Sequence, residues 1–288
     1  MASFNGLLSR RTFLMGSCAV LSLGAKWKFS GVIGLEIYSL RGDAEKDLPA
    51  TLALIRKFGI SDVEVPGFYG RTAAEFRRLL DEAGLKATSM MAEHARLAKD
   101  IEHVAADAHA LGVEYVVCST IPHNQNQKHL TADDCHRAAG DFNRWGKTLS
   151  ESKLKLCYHT HGIEFDPWSD GTLFDLLVTS TDSKFVNFEM DIFWIVYARQ
   201  DPTELLHKYP GRFPLMHVKD IRKDTVLGGS PGDVLEEASV ILGRGLVDIP
   251  AALQAALATG VRHYYLEDEA VDASRQIPES LRYLKGLG

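Results

Sequence analysis

Cysteine is scarce: the chain has four in 288 residues, Cys18, Cys118, Cys135 and Cys157, and no CxxC spacing among them. A thiolate zinc site is therefore not indicated. With 45% apolar residues the chain can build a core without a disulfide. Positive charge is also in deficit, since 32 Lys and Arg face 38 Asp and Glu, for a formal net charge of −6. That balance speaks against sequence-independent nucleic-acid binding, which relies on clustered Lys and Arg. No Pro/Gly/Ser-rich linker or low-complexity segment divides the chain. Neither GxGxxG nor a Walker A loop follows the first strand pattern, which disfavours a doubly wound nucleotide-binding sheet.

The N-terminus carries a signal of its own. Ser9-Arg10-Arg11-Thr12-Phe13-Leu14 leads into an apolar run ending at Leu23, too short to span a bilayer comfortably. The paired arginines followed by Phe-Leu resemble a bacterial twin-arginine export signal. Residues 1–29 are expected to be that signal segment and residues 30–288 a single catalytic domain, exported to the periplasm with no stable membrane anchor after processing. Homo-oligomerisation is compatible with the sequence.

Beyond residue 30, short apolar runs alternate with longer amphipathic stretches. Strands are predicted near 32–38, 61–65, 86–91, 114–119, 154–161, 185–191, 213–218 and 262–267. Helices are predicted near 45–58, 72–83, 97–111, 131–152, 170–180, 202–208, 248–258 and 274–285. Glycines follow several helices, among them Gly112 and Gly260, and Thr131 to Asp134 reads as a capping box. Eight βα units without a nucleotide loop point to the α/β class, a closed (β/α)8 TIM barrel. The long connection 219–247 fits either a lid or a solvated insertion.

Active sites of such barrels lie at the C-terminal ends of the strands. Ionisable residues gather there in this sequence: Glu64, His94, His159, His161, Glu164, Asp191, His217, Lys219 and Glu267. Buried without partners, they would carry a desolvation cost, and a shared cation would relieve it. Mixed imidazole and carboxylate donors suit one divalent ion, Mn, Zn, Co, Fe or Mg. Alternation along a strand puts His159 and His161 on the same face. Each residue alone also has a structural reading, as a hydrogen-bonded strand end or a packed ring.

Four segments carry a family likeness. They are Gly34 to Arg41 (GLEIYSLR), Tyr158 to Phe165 (YHTHGIEF), Met190 to Trp194 (MDIFW), and His217 to Asp220 (HVKD) with Tyr265 to Asp268 (YLED). In order and spacing they resemble the xylose-isomerase-like family of sugar phosphate isomerases and epimerases. That resemblance implies a metal held by His159, Asp191, His217 and Glu267, one residue from each of strands five to eight. It departs from the better-known epimerases at strand five, where a glutamate serves as ligand and acid/base group. His159 matches that position here, with Glu164 as a substitute ligand nearby. Trp194 stands where some epimerases have histidine.

The resemblance implies a carbohydrate substrate with a carbonyl next to a hydroxyl. Glu267 or Glu164 would act as general base and Lys219 would stabilise the enediolate. Glu64, His94, His161 and Trp194 are the candidate substrate-binding residues. Export favours a non-phosphorylated keto sugar. Isomerisation or epimerisation is the expected outcome. The alternatives are a metal-dependent lyase or hydrolase acting on 3-keto glycosides and a non-enzymatic exported sugar-binding protein. Abasic-site endonucleases share the superfamily, but the acidic charge argues against nucleic acid as partner.

Overall fold

Eight short, mostly buried runs form strands at the expected places. In chain order they are β1 (Ile33–Glu36), β2 (Asp62–Val65), β3 (Lys86–Met91), β4 (Tyr115–Cys118), β5 (Lys155–His159), β6 (Val186–Asp191), β7 (Leu215–Val218) and β8 (His263–Leu266). Each pairs in parallel with its neighbours, and β8 returns to β1 to close the barrel. The computed structural model describes residues 27–123, 129–229 and 236–287. The expected export segment 1–29 lies outside the described residues except for its last three. There Phe29 meets Tyr264 edge-on, ring centroids 5.1 Å apart.

Register decides which side chains meet. Glu36 pairs with Glu64, His159 with Glu189, and Asp191 with His217, which is also level with Tyr265 on its other side. Two apolar regions result. The larger fills the space between strands and helices, and a small one of Tyr115, Val117, Cys157, Leu215 and Tyr265, with Met91 against it, plugs the barrel interior. Side chains two apart on a strand share a face. One layer above the plug, the chain therefore reads His159 over Cys157, His217 over Leu215 and Glu267 over Tyr265. Tyr265 fits only because β1 has glycine opposite it, as a Cβ on Gly34 would lie 2.8 Å from its ring. The Tyr265 hydroxyl reaches across to Ser89 Oγ at 3.0 Å.

The helices follow the amphipathic stretches, with differences set by local chemistry. The predicted helix 45–58 is two, Arg41–Lys46 and Leu48–Lys57, because Asp47 leaves helical geometry and its carboxylate caps Ala50 N at 3.0 Å. Asp100 divides 97–111 in the same way, giving His94–Lys99 and Ile101–Leu111. The helix expected from 170 begins at Leu173, after a two-residue hairpin and a capping box on Thr172. Helix Ala132–Glu151 starts with the predicted Thr131–Asp134 box. Helix Ile192–Tyr197 falls in the stretch between the predicted strand 185–191 and the predicted helix 202–208, and the Asp191 carboxylate starts it by accepting from Phe193 N at 2.8 Å.

The connection 219–247 is anchored rather than loose at its ends. Asp220 accepts from Ile221, Gly243, Gly245 and Val247 N–H groups at 2.8–3.0 Å, and residues 220–221 pair with 239–240. No helix among the described residues is long and apolar enough to cross a membrane.

Candidate metal centre and active site

The top of β5, β6 and β7 brings His159, Asp191 and His217 together, each with a ligand-type atom within 4.8 Å of the others and all buried. Glu36, Glu64 and His217 form a second such group that shares the same histidine. Beneath and between them lies Glu189, whose Oε2 is 2.8 Å from His159 Nδ1 and 3.5 Å from His217 Nε2. An acceptor at Nδ1 fixes the His159 proton there and leaves Nε2, 3.9 Å from Asp191 Oδ2, as the nitrogen able to ligate.

Electrostatics make this cluster costly as it stands. Glu36, Glu64, Glu189 and Asp191 are fully enclosed, and Glu267 nearly so. Burial, with Glu64 adding repulsion, holds the Glu36 and Glu189 carboxyls well above the usual range. Burial pushes Asp191 up to about 7 despite the opposing pull of Lys219. Burial and the neighbouring imidazoles of His161 and His217 keep His159 neutral. His161 falls to about 4, chiefly through burial. Burial alone would keep His217 neutral too, but Glu189 and Glu267 outweigh it and raise its pKa. Its two nitrogens then bond Glu267 Oε2 at 3.0 Å and Glu64 Oε2 at 2.6 Å.

The donor set fits a divalent cation. Asp191 Oδ2, Glu36 Oε2, Glu64 Oε1 and Glu189 Oε1 are buried with no hydrogen-bond partner among the described residues. Orphaned carboxylate oxygens beside a neutral imidazole are what a cation would satisfy, and borderline metals such as Zn, Mn, Fe or Co accept mixed nitrogen and oxygen ligands.

Above the cluster is a chamber of about 250 Å³ lined by Glu36, Tyr38, Pro66, Met91, Ser119, His159, His161, Trp194, Glu267 and Glu269. Glu267 is held by His217 and by Lys219, whose Nζ is 3.5 Å away. Burial would raise its pKa, but these two neighbours overcome that and hold it well below the usual range. Lys219 is itself buried, bonded to Glu269 and lying 4.7 Å from the Phe193 ring centroid and 5.5 Å from that of Trp194. Its pKa is raised, the pull of Glu267 and Glu269 exceeding the effect of burial.

Of the residues expected at the site, His159, His161, Asp191, Trp194, His217, Lys219 and Glu267 converge at this end of the barrel. Three stand elsewhere than expected. Glu164 is fully enclosed away from the chamber, its carboxylate accepting from the Tyr158 hydroxyl and from His161 N at 3.3 Å. It braces the His161 loop instead of reaching in as base or substitute ligand. His94 begins a helix, bonds Asp141 at 3.0 Å and packs on Trp145, and it does not line the chamber. Glu64 lies beneath His217, shielded from any sugar hydroxyl. Sequence reasoning passed over Glu36, Glu189, Glu269 and Tyr38. Alternation offered the signal, since Glu189 precedes Asp191 by two, Glu269 follows Glu267 by two, and Glu36 ends β1 as Glu64 nears the end of β2.

The sequence matches the xylose isomerase-like TIM barrel family over residues 52–287, and the chain belongs to that family. An inosose dehydratase of Clostridium botulinum is 23% identical over 186 residues, covering 58% of this chain and 61% of that enzyme. The chain thus spans about three-fifths of that curated relative. A sugar phosphate isomerase/epimerase from Parabacteroides distasonis superposes with a TM-score of 0.73 at 23% identity, covering 88% of this chain and 97% of that one. The IOLI protein with a bound zinc atom superposes with a TM-score of 0.66 at 13% identity, covering 88% and 95%. At these identities the structural likenesses concern the fold. The family includes sugar isomerases, epimerases and dehydratases.

Proposed function

We propose that this chain is a metal-dependent sugar isomerase or epimerase acting on a non-phosphorylated keto sugar. The observation that carries this reading is geometric: Glu36 and Glu267 face one chamber above His159, Asp191 and His217, where burial and Glu64 push the Glu36 pKa up while Lys219 and His217, outweighing burial, pull that of Glu267 down. Such divergence is how a site keeps a base and an acid at one pH. His159, Asp191 and His217 would hold the ion, with Glu267, the fourth expected ligand, bonded to His217 Nδ1 at 3.0 Å, and zinc bound to the IOLI protein supports a divalent ion in this fold. Bound there, the ion supplies Lewis acidity that polarises a carbonyl and makes the adjacent C–H more acidic.

The chain's own groups do the rest. Glu267 takes the proton from the carbon beside the carbonyl. The Lys219 ammonium, 3.5 Å from it, lowers the cost of the negative charge that passes to the enediolate. Glu36 returns a proton at the neighbouring carbon or on the other face. His161 and Trp194, with ring centroids 6.0 Å apart, offer a hydrogen-bonding edge and a stacking face for the sugar. No Arg or Lys lines the chamber, and the Glu267 and Glu269 carboxylates there would repel a phosphate, which favours an uncharged sugar.

Elimination is the second reading, and the likeness to inosose dehydratase favours it. The same proton abstraction would be followed by loss of a β-hydroxyl or an aglycone, protonated as it leaves by Glu36. We also infer from Arg10-Arg11 that the enzyme works in the periplasm.

The test is solvent exchange. The metal-loaded protein is incubated with keto sugars in D2O and followed by proton NMR. The signal from the C–H beside the carbonyl should be lost in wild type and not in Glu267→Gln. Binding of sugars with no exchange in any of them would leave a sugar-binding protein instead.

A further inference from the structure

The chamber above His159 is not isolated. A second cavity of about 280 Å³ adjoins it, lined by Tyr38, Arg41, Glu45, Pro66, Gly67 and Tyr69, and the two share Tyr38 and Pro66 as walls. Small-molecule pockets begin near about 300 Å³. Neither chamber reaches that alone, and the pair exceeds it.

The outer chamber is built and not merely open. Tyr38 is 41% exposed, and its ring is pinned by the Arg41 guanidinium 4.6 Å from the centroid. The same guanidinium donates to the Tyr38 carbonyl at 3.3 Å and to the Glu269 carbonyl at 3.4 Å, which ties this platform to the loop carrying Glu267. Facing it, Tyr69 has φ of 49°, a left-handed conformation that bulky residues rarely adopt. Arg71 holds the Tyr69 carbonyl at 2.8 Å, and the ring stacks on Phe76 with centroids 6.5 Å apart. Strain of this kind persists where surrounding structure enforces it, commonly at ligand clamps.

Two tyrosine rings beside a guanidinium and a carboxylate match a ring with an apolar C–H face and a rim of hydroxyls. We propose that the outer chamber is a second sugar subsite, so that the substrate is a two-ring glycoside spanning the Tyr38–Pro66 saddle. The reacting ring occupies the inner chamber. The second ring stacks on Tyr38 and Tyr69, its hydroxyls meeting Arg41 and Glu45. This rests on the inner chamber being a sugar site.

The experiment is isothermal titration of the full chain with maltose, cellobiose and trehalose, each against methyl α- and β-glucopyranoside. At least one disaccharide should bind about tenfold more tightly than the one-ring glycosides. Tyr69→Gly, which removes the ring and relieves the φ, and Glu45→Ala, an exposed helix position, should each cut that ratio to below about threefold. Equal affinities, no disaccharide binding, or an advantage that survives both variants would overturn the proposal. Phenyl glucoside binding more tightly than every disaccharide would also overturn it, in favour of a planar aglycone. The readout needs no turnover. A two-ring advantage without deuterium exchange sinks the proposed reaction alone, and exchange without that advantage sinks the subsite alone.

Discussion

Glu189 lies 2.8 Å from His159 Nδ1, and both side chains are closed off from solvent. The glutamate thereby sets which imidazole nitrogen faces Asp191. A carboxylate behind a ligating histidine commonly governs metal affinity by about 10- to 100-fold. Glu189→Ala is expected to weaken metal binding by about that factor, measured by competition with a chromogenic chelator. Glu189→Gln, which can still accept from Nδ1, should lose less. Equal affinity in Glu189→Ala and wild type would remove the glutamate from this role.

Glu267 is expected to matter for turnover and little for folding. Glu267→Gln keeps shape and a hydrogen bond to His217 while removing the base, so kcat should fall by about 10²- to 10⁴-fold. The thermal midpoint should move by only a few degrees. A variant with wild-type kcat on a substrate found by solvent exchange would assign the proton abstraction elsewhere.

Lys219 should matter for folding as well as for turnover. Its buried ammonium lies between Glu267 and Glu269, so Lys219→Met removes the counter-charge of Glu269 and leaves Glu267 with His217 alone. Breaking a buried pair in this manner costs about 3–5 kcal/mol. Chemical denaturation of the variant should show that loss, and a change below about 1 kcal/mol would mean the pair is screened by water.

The pH dependence follows from Asp191. Its carboxyl titrates near 7 in the folded chain against an ordinary value of 3.8. Between those values the folded state binds more protons than the unfolded one. This group's contribution is therefore fully present below about pH 3.8 and is lost as pH rises through about 7. A cation must displace the Asp191 proton and one from His217. The rise in melting temperature on adding Zn or Mn should grow with pH across that window, and a pH-independent rise would contradict the protonation argued for Asp191.

Much of the barrel was legible because its strands repeat a simple signal. Most are short runs of apolar residues between amphipathic stretches, and all eight fall where the periodicity puts them. The helix Ile192–Tyr197 was not legible, since IFWIVY has β-branched and aromatic residues throughout and becomes helical only because Asp191 caps it inside a closed barrel. At the site, His159, Asp191 and His217 were readable from their positions at strand ends. Glu164 misled, because spacing alone does not tell that the Tyr158 hydroxyl, six residues earlier, will capture its carboxylate. Glu36 and Glu189 were overlooked although strand alternation places them on the inner face. Their meaning comes from the register that sets Glu36 against Glu64 and His159 against Glu189, a property of pairing between strands distant in sequence.

Whether His159, Asp191 and His217 hold a cation bears on everything above, and it can be measured without knowing the substrate. Metal content of the full chain, by inductively coupled plasma mass spectrometry, is compared between wild type and His159→Ala after reconstitution and desalting. About one transition metal per wild-type chain is expected, and a small fraction of that in the variant. Wild-type protein with no metal, or a variant that keeps its full complement, would contradict the assignment.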